Sequence, residues 1–265
     1  MYALDVDPIE IVKTKQRLAE AGYGEDILTI KQTNFRNIDQ VAEEAEGFDF
    51  ILADLGVSSM QIDNPDRGFT YKFDGPLDLR LDPEKGESAA ERLREVSYEE
   101  LVGMFQENSD EPYAEEIATV IMKRNRTKNY VETTTQMKDA IEEALAFVPE
   151  KDRKEAVKKS CQRCFQALRI DVNSEFEVLY DFLDKLPDAL RPGGKVAILT
   201  FHSGEDRLVK RAFKAGVKAG VYSEVSKDVI RPSAKSESKI NEDEMGCKSR
   251  IKDTERRHRL YIMLI

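Results

Sequence analysis

Residues 50–83 read FILADLGVSSMQIDNPDRGFTYKFDGPLDLRLDP, and the fold turns on how this stretch is understood. The apolar run Phe50-Ile51-Leu52-Ala53 has the length and flanks of a buried strand, and it stops at Asp54. In an open α/β sheet, ligands collect just outside the carboxyl ends of the strands, so Asp54 is placed to face a ligand. The residues after Asp54 have no helix or strand period. Gly56, Ser58, Ser59, Asn64, Pro65, Gly68, Gly75 and Pro76 punctuate a loop of roughly twenty or more residues, a length that usually marks function or disorder. Aromatic and cationic residues alternate within it: Arg67, Phe69, Tyr71, Lys72, Phe73 and Arg80. Such a mixture can stack on a base and hold phosphate, which disordered linkers seldom offer.

Upstream, residues 2–6 read as a short strand, and Asp7-Pro8 supplies an N-cap followed by proline at the first helical position. Ile9, Ile11, Val12, Leu18 and Ala19 give a helix to about Ala21 a mostly apolar face, and Gly22 and Gly24 end it. Residues 27–31 form the next strand, and a short helix over 38–45 leads into the strand that closes at Asp54. This alternation predicts a parallel sheet covered on both faces. Asp5, near the end of the first strand, could accept hydrogen bonds from both hydroxyls of a ribose, or could be a turn carboxylate.

Downstream, apolar residues recur at helical spacing from about Ser88 to Lys159, among them Leu93, Leu101, Phe105, Ile117, Ile121, Met137, Ile141, Leu145 and Val148. They predict a helical insertion whose Met and Phe positions are core. Residues 165–186 read as one long helix, 191–194 as a tight turn, and Lys195 to Phe201 as a buried strand. His202 sits where that strand stops, either as an acid/base group or as the cap of a helix over 205–215. Residues 222–250 are polar and read as a mobile excursion, and Arg259 to Ile265 supplies a last strand.

A chain of 265 residues can bury a proper core. No run approaches the roughly eighteen apolar residues of a membrane helix, and residues 1–5 lack the basic start of a secretory signal, so a cytoplasmic protein without membrane contact is expected. The net charge of −10 does not favour nucleic-acid binding but leaves room for a local basic face. Besides the loop, the cluster Arg207, Lys210, Arg211 and Lys214 and the tail Lys248, Arg250, Lys252, Arg256, Arg257 and Arg259 are candidates. Cys161 and Cys164 form a C-x-x-C, but Cys247, His202 and His258 are too scattered to complete a zinc site, so buried thiols and no metal are expected.

The strings DLGVSS, RGFTYKFDGPLDLRLDP, FQALRIDVNSE and GGKVAILTFHSGEDRLVKR resemble, in this order, the bacterial 16S rRNA (cytosine-N4)-methyltransferases, the family called RsmH or MraW. The resemblance runs from about Leu4 to Arg211. It implies a Rossmann-like class I methyltransferase sheet built from 1–85 and 160–265, with an inserted helical domain over 86–159. It also implies S-adenosyl-L-methionine as cofactor, held by Asp5, Phe35, Asp54 and Gln61. The expected substrate is a cytidine in the decoding region of 16S rRNA, within the small ribosomal subunit, and a homodimer is a further expected partner state. Asp54 and His202 are the catalytic candidates, and Arg67, Phe69, Arg80 and Asn173 the RNA-facing ones, each with a plain alternative as a bracing residue.

Three departures from the family pattern qualify that expectation. The chain opens at what would be the second strand of such a sheet. The resemblance therefore implies an N-terminally truncated or diverged member, wanting a strand, its glycine-rich turn and a helix, roughly 30 or more residues, and binding cofactor poorly. The family's basic, His-containing approach to FQALRI is here Lys159-Ser160-Cys161-Gln162-Arg163-Cys164, and the leucine after HS in its FHSLEDR string is Gly204. A truncated or degenerate paralogue that binds RNA or the ribosomal subunit without methylating it is the alternative expectation.

Overall fold

The computed structural model describes residues 1–226 and the strand 259–264. The tail lysines and arginines before Arg259, Cys247, His258 and most of the polar excursion lie outside the described residues. The chain divides into two compact units, one formed by residues 1–33 and 57–175, the other by 34–56 and 176–265.

In the first unit, β1 (Tyr2–Asp5) pairs in parallel with β2 (Thr29–Gln32), in register from Tyr2↔Thr29 to Asp5↔Gln32. Between them runs α1 (Pro8–Glu20), which starts where the sequence says it should: Asp7 Oδ1 accepts from the backbone N–H groups of Ile9 at 2.9 Å and Glu10 at 3.2 Å, and Pro8 needs no donor there. After the one-turn α3 (Ser59–Asp63) come α4 (Ala89–Glu95), α5 (Tyr98–Ser109), α6 (Ala114–Arg126), α7 (Thr134–Ala144) and α8 (Glu150–Val172). Four of these helices begin with reciprocal caps, Ser58 with Gln61, Ser88 with Glu91, Ser97 with Glu100 and Thr133 with Gln136.

Leu93, Leu101, Phe105, Ile117, Ile121, Met137, Ile141 and Leu145 are fully buried in one continuous core, together with Leu168 of α8 and with Leu77 and Leu79 of the preceding loop. The expected methionine and phenylalanine stripe is thus core. The helical body is larger than 86–159, because the loop plugs it with two leucines and α8 carries its core down to Leu168.

The expected single helix over 165–186 is two. Helix α8 ends at Val172, and α9 (Glu175–Ala189) starts after Ser174, which adopts the left-handed conformation at φ 48°. Asn173 makes the break: its Nδ2 donates to the carbonyl of Arg169 at 2.8 Å, satisfying a carbonyl at the end of α8.

In the second unit, α2 (Ile38–Ala45) precedes β3 (Phe48–Asp54), and α9 runs directly into β4 (Leu190–Thr200). Helix α10 (Ser203–Lys218), β5 (Glu224–Val225) and β6 (Arg259–Leu264) complete it. The sheet has the order β3-β4-β6-β5, parallel between β3 and β4 and antiparallel at β4/β6 and β5/β6. The expected last strand over 259–265 is present as β6.

Two expectations about the sheet need correction. One sheet was expected, but the parallel pair β1-β2 and the four-stranded sheet are separate, and β1 and β3 each bond to a single neighbour among the described residues. The run in β3 was expected to be buried; Ile51 is, but Phe50 and Leu52 are 56% and 59% exposed. Alternate residues of a strand face opposite sides, so one face of β3 is covered and the other is open.

Candidate functional site

The parallel strands β3 and β4 end together. Asp54 lies opposite Leu199, the N–H of Leu55 donates to the carbonyl of Leu199 at 3.2 Å, and Thr200-Phe201-His202 follow on the neighbouring strand. Asp54 is exposed at this end. Gly56 adopts φ +90°, and a Cβ placed on it would meet the Phe201 ring at 3.6 Å, so glycine lets the chain turn closely beneath that ring. Loops leaving the carboxyl ends of neighbouring parallel strands are where an α/β sheet presents chemistry.

His202 stands at the expected strand end, as the residue before α10, but its ring is turned inward. Nε2 lies 3.2 Å from Glu205 Oε1, and the ring packs against Phe176 with centroids 5.9 Å apart. Neither ring nitrogen makes a hydrogen bond of good geometry among the described residues. The capping is done by Glu205, whose Oε2 accepts from the N–H groups of Phe201 at 2.7 Å and His202 at 3.4 Å. The glycine that replaces the family's leucine has a partner here: a Cβ on Gly204 would fall 2.5 Å from Phe176 Cζ. Phe176 occupies the volume that Gly204 leaves open. Phe35, in the same unit, is half-buried and meets Phe182 edge-on at 5.1 Å.

In the other unit a buried polar centre gathers Gln61 and Arg67 around Asp7, with the exposed Asp5 at its edge. Asp7 is fully buried; its Oδ2 accepts from Gln61 Nε2 at 2.8 Å and from Arg67 Nη1 at 2.7 Å, while its Oδ1 caps α1. Burial alone would raise the Asp7 pKa, but the hydrogen bonds from Gln61 and Arg67 outweigh it and hold the carboxyl below its ordinary value. Asp5 Oδ1 accepts the N–H of Asp7 at 2.9 Å. Desolvation, with the Asp7 charge adding to it, pushes Asp5 the other way, above the usual carboxylate range. Sequence reading gave Asp7 only a cap; its second role depends on residues 54 and 60 positions away.

The RNA-facing candidates are well occupied within the chain. Arg67 is buried, and its Nη2 donates to the carbonyls of Arg80 at 2.9 Å and Leu81 at 3.0 Å, with the guanidinium 5.6 Å from the Phe69 ring centroid. Arg80 grips Asp78 through Nε at 2.8 Å and Nη2 at 2.7 Å, a hydrogen-bonded pair that raises its pKa. Asn173 Oδ1 accepts from Leu81 N at 2.7 Å, and its Nδ2 also donates to Leu79 O at 2.8 Å. Phe69 is half-buried against the helical core. These contacts fix the loop between α3 and α4 from Gly68 to Leu81. Gly68, at φ +73°, permits it, since a Cβ there would lie 2.4 Å from the Pro76 carbonyl oxygen.

Cys161 and Cys164 are buried, and burial pushes the Cys161 thiol up to about 12 and Cys164 well above its ordinary value. Both are neutral packing groups at neutral pH.

A strand-end acid, a neighbouring strand that stops at a capped helix, and alternating strands and helices define an α/β protein with an enzyme-like site. The chain belongs to the MraW methylase family, whose family model matches residues 1–251. It is 69% identical over 234 residues to "Ribosomal RNA small subunit methyltransferase H 1" of Agathobacter rectalis, covering 88% of this chain and 67% of that protein. A protein of the same name from Lachnoclostridium phytofermentans is 68% identical, with 88% and 64% covered. "Ribosomal RNA small subunit methyltransferase H 2" of Alkaliphilus metalliredigens is 58% identical, with 88% and 67% covered. The chain thus spans about two thirds of the length of these relatives. Their names point to ribosomal RNA and give no support to a homodimer. Among the described residues no helix is long and apolar enough to cross a membrane.

Proposed function

We propose that this chain methylates N4 of a cytidine in the decoding region of 16S rRNA, with S-adenosyl-L-methionine as donor and the small ribosomal subunit as partner, in the cytoplasm. The carrying observation is Asp54, exposed at the carboxyl end of β3 beside Phe201 and His202, in a chain whose relatives are named for small-subunit ribosomal RNA. The cofactor supplies an electrophilic methyl group. The N4 lone pair is delocalised into the cytosine ring, so the protein must hold the amine in line and accept its hydrogen bonds as positive charge develops on nitrogen. Asp54 fills that role, with the carbonyls of Leu55 to Val57. With the donor bound, the amine would take its methyl group and release the neutral thioether, and the Asp54 carboxylate would receive the N4 proton.

Asp5 fits the ribose of the donor. Its Oδ1 accepts the Asp7 N–H, and the carboxylate is exposed, where ribose hydroxyls could donate to it. Gln61 is a positioning residue: its Nε2 holds Asp7, and its Oε1 accepts from Ser58 N at 2.8 Å. Phe35 offers the edge of an aromatic wall. His202, its ring directed at Glu205, keeps the strand end in place and reaches the substrate only after a change of rotamer.

A second reading, a non-catalytic paralogue that binds RNA or the subunit, is favoured by one observation. The open face of β3, with Phe50 and Leu52 exposed, leaves the strand leading to Asp54 without the dry wall a cofactor pocket needs. Small subunits incubated with the chain and tritiated donor, then digested to nucleosides, separate the two. Label on N4 of a 16S rRNA cytidine, lost in Asp54→Ala, supports the enzyme. Absence of label together with absence of donor binding by calorimetry supports the second reading.

A further inference from the structure

The loop between α3 and α4 presents one aromatic ring outward from a pinned backbone. The Phe73 carbonyl accepts from Thr134 Oγ1 at 2.8 Å, the Gly75 carbonyl from Thr134 N at 3.0 Å, and Leu77 N donates to the Glu132 carbonyl at 2.9 Å. Between them the Asp74 carboxyl, held below its ordinary value by the Thr135 and Thr133 hydroxyls, binds the start of α7. Yet the Phe73 ring is 54% exposed. Phe69 and Tyr71 behave differently: both pack on the helical core, Tyr71 edge-on to Phe165 at 5.7 Å. A ring on a fixed backbone loses little freedom when a flat partner stacks on it, and stacking on exposed aromatics is how unpaired bases are held.

Of the adjoining helices, α7 is acidic on balance, with Lys138 against Asp139, Glu142 and Glu143, and the lysines gather at the start of α8. Thr134, which pins Phe73, opens α7, and Lys138 follows one turn later, paired with Glu142 at 3.4 Å. Helix α7 packs on α8, and Tyr71, two residues before Phe73, meets Phe165 of α8 edge-on. Counting back along α8 from Cys161, Lys158, Lys154 and Lys151 recur at spacings of four and three and share one exposed stripe. Among the acids of this stretch, Glu155 is taken by Lys159 at 3.6 Å and Asp152 lies 4.0 Å from Lys151, while Glu150 stands four residues before Lys154. Lys154 and Lys158 have no acidic partner among the described residues.

We propose that Phe73 and the Lys154–Lys158 stripe form a second RNA contact, in which an unpaired base stacks on Phe73 and neighbouring phosphates run along α8. The proposal rests on the ribosomal RNA reading above and adds a surface to it, beyond the strand ends that take the target base. A single strand supplies both partners, a free π-face and a flexible phosphate chain, whereas a duplex supplies phosphates alone.

The test is fluorescence anisotropy of this chain with a labelled mixed-sequence single strand of about ten nucleotides and with the matching duplex, at roughly 50 to 200 mM salt. Phe73→Ala should weaken single-strand binding about 5- to 100-fold and leave the duplex unchanged, and Phe73→Tyr should restore it. Lys154→Gln with Lys158→Gln should weaken both ligands and reduce the single-strand salt slope by about 0.7 for each phosphate no longer neutralised. Unchanged single-strand affinity in Phe73→Ala, with the wild-type chain binding, overturns this surface alone. A wild-type chain that binds neither oligonucleotide overturns the surface and the RNA reading together. Loss of binding to isolated small subunits with oligonucleotide binding intact assigns the patch to a ribosomal protein and overturns the proposal.

Discussion

The two units answer to different demands. The helical unit closes on itself: its core leucines and phenylalanine are fully buried, four of its helices carry reciprocal caps, and the arginines of its loop are spent on internal acceptors. The sheet unit keeps its strand ends and one strand face open, with Asp54, Phe50 and Leu52 all exposed. Buried polar groups held by several internal hydrogen bonds make a frame, whereas a solvent-exposed group at a strand end lies where an α/β sheet meets its ligands. Asp7 and Asp54 are the same residue type under those two regimes.

Replacing each in turn is the sharpest way to break the contrast. Asp7→Ala strands the Arg67 guanidinium in the interior and uncaps α1, and should cost about 3–5 kcal/mol in urea unfolding. Asp54→Ala should leave the unfolding midpoint within about 0.5 kcal/mol of the parent while methyl transfer falls about 100-fold or more, if the amine loses its acceptor. Equal stability losses in the two variants would end the distinction between frame and site.

The Phe176–Gly204 pair tests whether the sheet unit is packed as tightly as the helical one. Gly204→Leu overfills the space against Phe176 and should destabilise by about 1–3 kcal/mol, and adding Phe176→Leu should return most of it. A double-mutant cycle with no coupling would mean that the space can expand freely.

The smallest effect expected is in pH dependence, and its sign differs between Asp7 and Asp5. The depressed Asp7 pKa contributes stability present above the unfolded-state value of about 3.9 and lost as pH falls through the folded one, so acid should loosen the helical unit below roughly pH 4. Asp5, raised by desolvation, works the other way: its ionised form weakens the fold, and that penalty is relieved as pH falls through the raised value. Asp5→Asn should therefore be slightly more stable than the parent at neutral pH, while binding the donor more weakly. Stability measured by urea titration across pH 3 to 8, with roughly unit steps around these values, checks both signs.

Much of the frame was legible because its causes are local. Asp7-Pro8 names the start of α1, and the apolar spacing from Leu93 to Leu145 gives the helical core without reference to anything distant. The break between α8 and α9 was not legible from spacing, since Phe165, Leu168, Val172, Phe176, Leu179 and Leu183 keep helical intervals straight across it; the signal was Asn173-Ser174, which periodicity ignores. The exposure of Phe50 and Leu52 was hidden for a different reason: an apolar run states what a strand prefers to touch, and the neighbour decides whether it does. At the site, the strand-end position of Asp54 and the family strings could be read directly. The commitment of Arg67, Gln61 and Asn173 to internal acceptors could not, because their partners are dozens of residues away.

The Phe176–Gly204 fit also makes this corner asymmetric towards change. Any side chain added at 204 runs into the Phe176 ring, whereas a smaller residue at 176 leaves a void. Holes in a core are graded in their cost and collisions are abrupt. Position 204 is therefore closed to substitution for as long as phenylalanine stands at 176, while 176 can shrink by degrees, and only after it has done so does 204 become free to vary.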